Sequence, residues 1–168
     1  KAADALGLKL PQALLLSQAL NWPYRLDDWR DALRLGRGLA VLVDGQLSAT
    51  ALWWPWGEHH ATCGMIIVSA QLQGHGIGRA LMGALLNQAG DRTVLLNSTV
   101  AGMRLYEQYG FLPFGRVHQH QALLTRAPPP PSADACVRWM RPDDAPALVD
   151  LDREASGMKR RRLLDALF

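Results

Sequence analysis

Cysteines and long apolar runs are scarce in this chain of 168 residues. Two cysteines, Cys63 and Cys136, are too few for a disulfide framework or a four-ligand zinc site, which favours a reducing cytoplasm and no metal centre. No stretch approaches the roughly 18 uninterrupted apolar residues that a membrane span needs. The opening KAADALGLKL also lacks the apolar region of a signal peptide, so we expect a cytoplasmic protein with no membrane partner.

Charge of either sign is modest as well. The chain carries 18 lysines and arginines against 15 aspartates and glutamates, a net charge of +3, without the broad basic face of a general nucleic-acid binder. Nucleic acid is therefore disfavoured as a partner, whereas a site for an anionic cofactor fits this balance. Apolar residues make up 49% of the chain, which is enough to bury a core and excludes a wholly disordered protein.

Hydrophobic spacing and turn signals predict an α/β protein with helices around a mixed sheet. Asp44-Gly45 between two strand-like runs is typical of a two-residue hairpin, and the apolar run at residues 65–68 favours a strand at the centre of the sheet. The predicted order is helices at 11–20 and 26–35, strands at 39–43, 46–54 and 59–68, a helix at 76–89, a strand at 94–96, a helix at 101–109 and a strand at 111–124.

The domain organisation follows from a run of prolines. Residues 1–126 are predicted to form one domain, and residues 127–133 form a linker because consecutive prolines adopt extended polyproline II. Residues 134–168 contain a strand-like segment at 136–140 and two helical segments, but they are too few to bury a core alone. They either dock on the first domain or begin a second one.

A glycine-rich segment between a strand and a helix is the most informative motif. Residues 71–79, QLQGHGIGR, combine several glycines with the unpaired N–H groups at the start of a helix, an arrangement that suits a bound anion. The alternative is a tight turn between strand and helix, which would also need glycine. A Walker A loop needs Gly-Lys-Ser/Thr, but Arg79-Ala80 follow Gly78. The dinucleotide fingerprint fails too, because its third small position is Arg79 or Leu81.

The segment resembles the acetyl-CoA-binding motif Q/R-x-x-G-x-G/A of the GNAT superfamily of N-acetyltransferases. It matches twice, from Gln71 to Gly76 and, in the register we prefer, from Gln73 to Gly78. Further on, LYEQYGF at residues 105–111 is similar to the family's LYExxGF segment. The resemblance covers roughly residues 11–125 and implies a GNAT-like, largely antiparallel mixed sheet flanked by helices on both faces.

The resemblance implies an acetyl-CoA-dependent N-acetyltransferase. The acceptor would be a primary amine of a small molecule or amino acid, and this amine would attack the thioester directly. The alternative to an enzyme is a non-catalytic GNAT-like module that binds or senses CoA. No metal is implied. The cofactor contacts would come from Ile66, Ile67, Val68, Gln73, Gly74, His75, Gly76, Ile77, Gly78, Arg79, Asn97 and Thr99.

Two catalytic candidates follow from the same resemblance and from side-chain chemistry. Tyr106 aligns with a family tyrosine near the sulfur, and a phenol of pKa about 10 can protonate a leaving thiolate. His60 is the candidate base because imidazole is the side chain that most readily exchanges a proton at physiological pH, and His118 and His120 are rivals. The tryptophans at 53, 54 and 56 are interpreted as core or dimer contacts, or as a wall of the acceptor cleft, which leaves a homodimer open.

Residues 138–148, RWMRPDDAPAL, look like the first strand and helix of another GNAT unit. The chain in this respect resembles bacterial tandem acetyltransferases, truncated in the second half. The alternative is that this tail completes the sheet of the first domain.

Overall fold

The computed structural model describes residues 9–120, 122–123, 125–126 and 138–167. The chain forms two helices, three strands, a helix and a strand in that order, then a short helix, and finally two helices near its C-terminus. They are α1 (Leu10–Gln18), α2 (Leu26–Leu35), β1 (Arg37–Val43), β2 (Gln46–Trp56), β3 (His60–Val68), α3 (Ile77–Ala89), β4 (Thr93–Leu96), α4 (Met103–Glu107), α5 (Ala145–Ser156) and α6 (Arg161–Leu167).

The four strands form one mixed sheet in the order β1-β2-β3-β4. β1, β2 and β3 are antiparallel neighbours, whereas β4 runs parallel to β3. The predicted hairpin joins β1 to β2, with Asp44 and Gly45 at φ angles of 50° and 75° that a type I′ turn requires. The expectation of an α/β fold with a largely antiparallel sheet is therefore confirmed.

Each face of the sheet is covered by helices and has its own core. On one face α1 and α2 contribute Ala13 and Trp29, which pack with Leu52 and Ile67 of the sheet. On the other face α3 contributes three leucine or methionine side chains. That second core contains Leu81, Met82 and Leu85 with Ala49, Ala51, Trp53, Ala61 and Cys63 of the strands. β2 and β3 therefore lie between two apolar layers, as their apolar composition predicts.

β2 is longer than the sequence suggests because it passes through a proline. The strand predicted at 46–54 continues through Pro55 to Trp56, opposite Ala61 and His60 of β3. β1 begins opposite Trp53, so Pro55 has no β1 residue beside it. The N–H that proline lacks is therefore not needed for pairing with β1. The turn follows at Gly57, whose φ is 80°.

The predicted strand at 111–124 is wrong over the residues that the structure describes. Residues 111–120 form neither strand nor helix, and Leu112 and Phe114 are 83% and 84% exposed. Pro113 and Gly115 interrupt the alternating apolar pattern that favoured a strand, since one lacks a donor and the other a side chain. The strand-like segment predicted at 136–140 is also not a strand at residues 138–140, and its first two residues lie outside the described part.

Among the described residues, the C-terminal segment lies against the first domain at two places. The Lys159 side chain lies against the β2–β3 turn, where a Cβ on Gly57 would be 3.3 Å from Lys159 Cδ. α6 faces the end of α2 across a shallow cleft of about 250 Å³. Within the tail, Arg160 donates to the Asp152 carboxylate, so the positive charge of the three arginines at 160–162 is partly neutralised. The division at residues 126 and 134 stays a prediction.

Candidate functional site

β3 has two halves that differ in their neighbours. Residues 60–63, the paired half, lie between β2 and β4, and Cys63 is opposite Leu96, the last residue of β4. Residues 64–68, the open half, continue beside β2 but beyond the end of β4. Among the described residues, no strand pairs with the β4-facing edge of this open half. The two strands therefore part at Cys63, and main-chain groups of β3 become available to another molecule.

The open half begins with a β-bulge. Thr50 and Leu52 of β2 face Ile67 and Gly64 of β3, so β3 has one more residue than β2 in this interval. Met65, inside the bulge, has a φ of 50°, in the left-handed region that side chains seldom adopt. Its carbonyl oxygen accepts a hydrogen bond of 2.8 Å from Oγ1 of Thr50.

The glycine-rich loop connects the open half of β3 to α3. Gly74 and Gly76 have φ angles of 79° and 78°, and a Cβ at either position would meet no atom within 4 Å. No side chain caps the first N–H groups of α3, which begins at Ile77. These N–H groups carry the positive end of the helix dipole, so the loop and helix start form a cradle suited to an anion.

Two side-chain contacts hold the loop in place. Nε2 of Gln73 donates to the carbonyl oxygen of Val68 at 3.1 Å, which ties the loop to the end of β3. A ring nitrogen of His75 lies 2.9 Å from the carbonyl oxygen of Gln73. The side chains of Gln73, His75 and Arg79 are all exposed.

Gly78 differs from the other two glycines of the loop. A Cβ at Gly78 would lie 3.4 Å from Cδ2 of Leu105 and 3.8 Å from Cγ2 of Val68. Gly78 therefore packs against the α4 segment and the end of β3, whereas Gly74 and Gly76 face open space. Glycines in this loop would let phosphates approach the main chain closely. The open space beside Gly74 and Gly76 fits this purpose better than the packed surroundings of Gly78.

Tyr106 lies where β3 and β4 part. It packs on the core that contains Cys63 and Leu96, and its ring is edge-to-face with Phe111 at a centroid distance of 6.1 Å. Burial, together with the neighbouring Cys63, raises the pKa of the Tyr106 phenol above its usual value. The phenol is therefore fully protonated at neutral pH and is a hydrogen-bond donor.

A second tyrosine links α4 to α3. The Tyr109 hydroxyl donates to the carbonyl oxygen of Arg79, in the first turn of α3, at 2.6 Å. A Cβ at Gly83 would lie 3.1 Å from the same hydroxyl, so glycine makes room for this contact. Neither Tyr109 nor Thr50 was identified from the sequence. The signal for Tyr109 is its place inside the LYEQYGF motif, whereas Thr50 has no local signal.

The structure does not bring His60 close to the loop. His60 begins the paired half of β3, so Gly64 is about 13 Å and Val68 about 26 Å further along the strand at the usual rise per residue. His118 and His120, its rivals, are exposed and lie outside any strand. The role of His60 as the base stays a prediction.

The two polar residues predicted after β4 differ in their surroundings. Asn97 directly follows β4 and is exposed, at the mouth of the gap between β3 and β4. Thr99 begins a single 3-10 turn, and its Oγ1 accepts a hydrogen bond of 3.3 Å from the N–H of Gly102. Asn97 is thus the freer of the two for contact with a ligand.

The three tryptophans of β2 are structural. Trp53 is buried beneath α3, and its Nε1 donates to Gln88 at 3.2 Å. Trp54 faces the opposite layer and donates to the carbonyl oxygen of Ala32 at 2.8 Å. Trp56 donates to Oγ1 of Thr62 at 2.8 Å. These contacts explain the tryptophans by core packing and leave no joint wall of an acceptor cleft.

The described residues contain neither a metal-ligand cluster nor a membrane-spanning helix. In the described ranges, no group of three or more His, Cys, Asp or Glu side chains is arranged to hold a metal ion. No helix among the described residues has the length and apolarity to cross a membrane.

The fold and the cradle define an α/β protein in which an open strand leads into a loop whose geometry suits an anion. The model of the acetyltransferase (GNAT) family matches residues 12–111. The chain therefore belongs to the GNAT acetyltransferase family, as its motifs indicated, and acetyl transfer with acetyl-CoA as the co-substrate is the general chemistry of that family. No curated protein sequence is significantly similar to the chain.

Solved structures of acetyltransferases share this fold. The ribosomal-protein-S18-alanine N-acetyltransferase of Escherichia coli is 26% identical, with a TM-score of 0.54 over 60% of this chain and 70% of its own. An uncharacterised GNAT acetyltransferase of Xanthomonas campestris is also 26% identical, with a TM-score of 0.51 over 58% and 72%. A further acetyltransferase, from Pyrococcus horikoshii, is 17% identical with a TM-score of 0.68, covering 99% of this chain and 59% of its own.

Proposed function

We propose that this protein transfers the acetyl group of acetyl-CoA to a primary amine of a small molecule or amino acid. The observation that carries the proposal is the open half of β3, which leads directly into a loop with two left-handed glycines facing open space. An extended pantetheine arm needs free main-chain partners, and a diphosphate needs N–H groups that no side chain obstructs. Both are found side by side here.

The proposed binding roles divide between strand and loop. The main chain of residues 66–68 would pair with the pantetheine arm, because β4 ends before reaching them. N–H groups of residues 73–79 would bind the diphosphate at the positive end of the α3 dipole. The exposed Arg79 side chain would add a positive charge, and Asn97 lies at the mouth of the gap.

The chemistry requires one group that donates a proton and one that accepts a proton. The neutral amine attacks the thioester carbonyl carbon, so a C–N bond forms, the C–S bond breaks and the nitrogen loses a proton. The thiolate that leaves takes up a proton, and Tyr106 is the proposed donor. Burial raises the pKa of Tyr106, so the phenol carries its proton at neutral pH, as a donor must. The base that takes the proton of the amine is predicted to be His60.

The acceptor is proposed to bind near the segment between α1 and α2. There the half-buried Trp22 and Tyr24 pair edge-to-face at 6.0 Å, and Tyr24 packs in turn at 6.4 Å on Trp29, which is buried in α2 and holds the pair in place. The E. coli relative is named for acting on an alanine of a ribosomal protein, so amino-acid amines belong in any acceptor panel together with small amines. We further propose that the protein acts in the cytoplasm.

Two measurements on the wild-type protein test the proposal. Calorimetry with CoA measures cofactor binding, and thiol release from acetyl-CoA in the presence of an amine panel measures turnover. Binding together with thiol release for some amine supports the transferase. Binding without release across the panel favours the non-catalytic CoA-binding module, and absence of binding rejects both.

The organisation of the C-terminal part is a separate proposal. We propose that residues 134–168 begin a second GNAT-like unit after the linker at 127–133. In support, the structural likeness to the P. horikoshii protein extends over 99% of this chain. The contact of Lys159 with the β2–β3 turn supports the alternative, a docked tail. Proteolysis at the linker followed by size-exclusion chromatography would separate these possibilities, because a docked tail stays bound to the first domain.

A further inference from the structure

Thr50 makes an unusual contact for a side chain in the middle of a central strand. It is fully buried in β2, and its Oγ1 donates to the carbonyl oxygen of Met65 on β3 at 2.8 Å. The other buried polar side chains of the described residues, Ser17 and Ser48, donate to carbonyl groups within their own segments, and Ser17 also accepts from Nε1 of Trp29 at 3.2 Å. Thr50 is different because its hydroxyl donates to a main-chain carbonyl of the neighbouring strand.

The carbonyl that it binds belongs to the bulge at the start of the open half. Met65 has a φ of 50°, a conformation that costs free energy for a residue with a side chain and persists only where its surroundings hold it. Because the bulge interrupts regular pairing with β2, a buried carbonyl there needs another donor. The Thr50 hydroxyl is that donor.

The bulge determines which way the open half faces. In a regular strand Cys63, Met65 and Ile67 would lie on the same face. Here Cys63 lies in the core under α3, whereas Met65 and Ile67 lie in the core under α1 and α2. The extra residue thereby turns Ile66 and Val68 towards α3, and both pack against the core on that side.

We propose that Thr50 is a positioning residue for the co-substrate. Its hydroxyl holds the bulge, and the bulge presents the main chain of residues 66–68 beside α3 and the glycine-rich loop. Thr50 itself is too deeply buried to touch the ligand. This inference rests on the proposed function, because it assigns a purpose to the strand geometry only if CoA binds there.

The test compares Thr50→Val with Thr50→Ser. Valine keeps the shape and removes the hydroxyl, whereas serine keeps the hydroxyl and loses a methyl group from the core. We expect Thr50→Val to bind CoA about tenfold more weakly, because CoA would then have to restore the strand geometry that one buried hydrogen bond had held, at a cost of that order. Thr50→Ser should retain the wild-type affinity even though its thermal stability falls. Hydrogen exchange should be faster at the amides of Ile66 and Ile67 in the valine variant only.

The outcomes separate this inference from the proposed function. Equal CoA affinity for the wild type and both folded variants overturns the role of Thr50 and leaves the proposed function intact. Absence of CoA binding in the wild type overturns both. If Thr50→Val does not fold, Thr50→Ala replaces it, since alanine and serine differ only in the hydroxyl. Equal affinity of the alanine and serine variants would then contradict the inference, and weaker binding by alanine would support it.

Discussion

The two halves of β3 are parts of one strand with different tasks. The paired half has β2 on one side and β4 on the other, and its Cys63 is buried so completely that the pKa of the thiol rises to about 12. The open half has only β2 beside it and begins with a bulge at Met65. A strand that is paired on both edges contributes to the framework of the sheet. A strand that extends beyond the end of its neighbour has main-chain N–H and C=O groups free on that edge. The place where β4 ends therefore separates framework from binding site.

The largest effect is expected from filling the space beyond the open half. In Gly76→Trp an indole would occupy the region that is empty within 4 Å of the Gly76 Cβ position, so CoA binding should be lost in calorimetry while the protein stays folded. Gly157→Trp is the matched control. Gly157 has nearly the same backbone conformation, φ 71° and ψ 1° against 78° and 0°, and also faces open space, but in the C-terminal tail. Unchanged affinity in Gly76→Trp would argue against the binding site.

A smaller effect, on turnover alone, is expected at the point where the halves meet. Tyr106→Phe should lower kcat about 100-fold, within the usual contribution of a proton donor, and should change CoA affinity less than twofold. Because burial raises the pKa of Tyr106, its protonated form persists to higher pH than that of a free phenol and is lost as the pH rises through that higher pKa. Any alkaline decline of the wild-type rate that comes from Tyr106 should therefore lie at higher pH than the titration of a free tyrosine. Undiminished turnover of the phenylalanine variant removes the catalytic role.

A moderate loss of stability is expected when α4 is disconnected from α3. Tyr109→Phe removes the hydrogen bond to the Arg79 carbonyl, so the free energy of unfolding should fall by about 1 kcal/mol in urea titrations. Gly83→Ala should stabilise the protein by up to about 1 kcal/mol through helix propensity, but only in the Tyr109→Phe background. In the wild type the new Cβ would press on the Tyr109 hydroxyl. Additive effects of the two substitutions would contradict this coupling.

The smallest effect on binding is expected in the paired half. His60→Gln should leave CoA affinity unchanged, because His60 lies far along β3 from the loop. Its turnover tests the predicted base: a fall of about 100-fold or more, the low end of what a general base contributes, would retain His60 in that role. Turnover equal to that of the wild type would remove it. His120→Gln is the companion variant, since His120 is the exposed rival on the segment after α4.

Elements defined by local signals were predicted with accurate bounds. α2 begins and ends at the predicted residues because the Asp28 carboxylate accepts from the N–H of Arg25 at its start and Gly36 ends it. The Asp44-Gly45 hairpin is similarly local. The cradle was predicted because glycines before a helix are a short-range pattern. The strand at 111–124 was wrong because a strand also needs a partner edge, which a periodic pattern does not supply.

The sequence by itself determined the family, the order of the first seven elements and the position of the glycine-rich loop, since each depends on residues close together in the chain. Only the tertiary structure decided where β3 and β4 part, that Met65 forms a bulge held by Thr50, and that Tyr109 binds the first turn of α3. These features join residues from different elements. Register and side-chain contacts between elements follow from packing, and no local spacing of residue types encodes them.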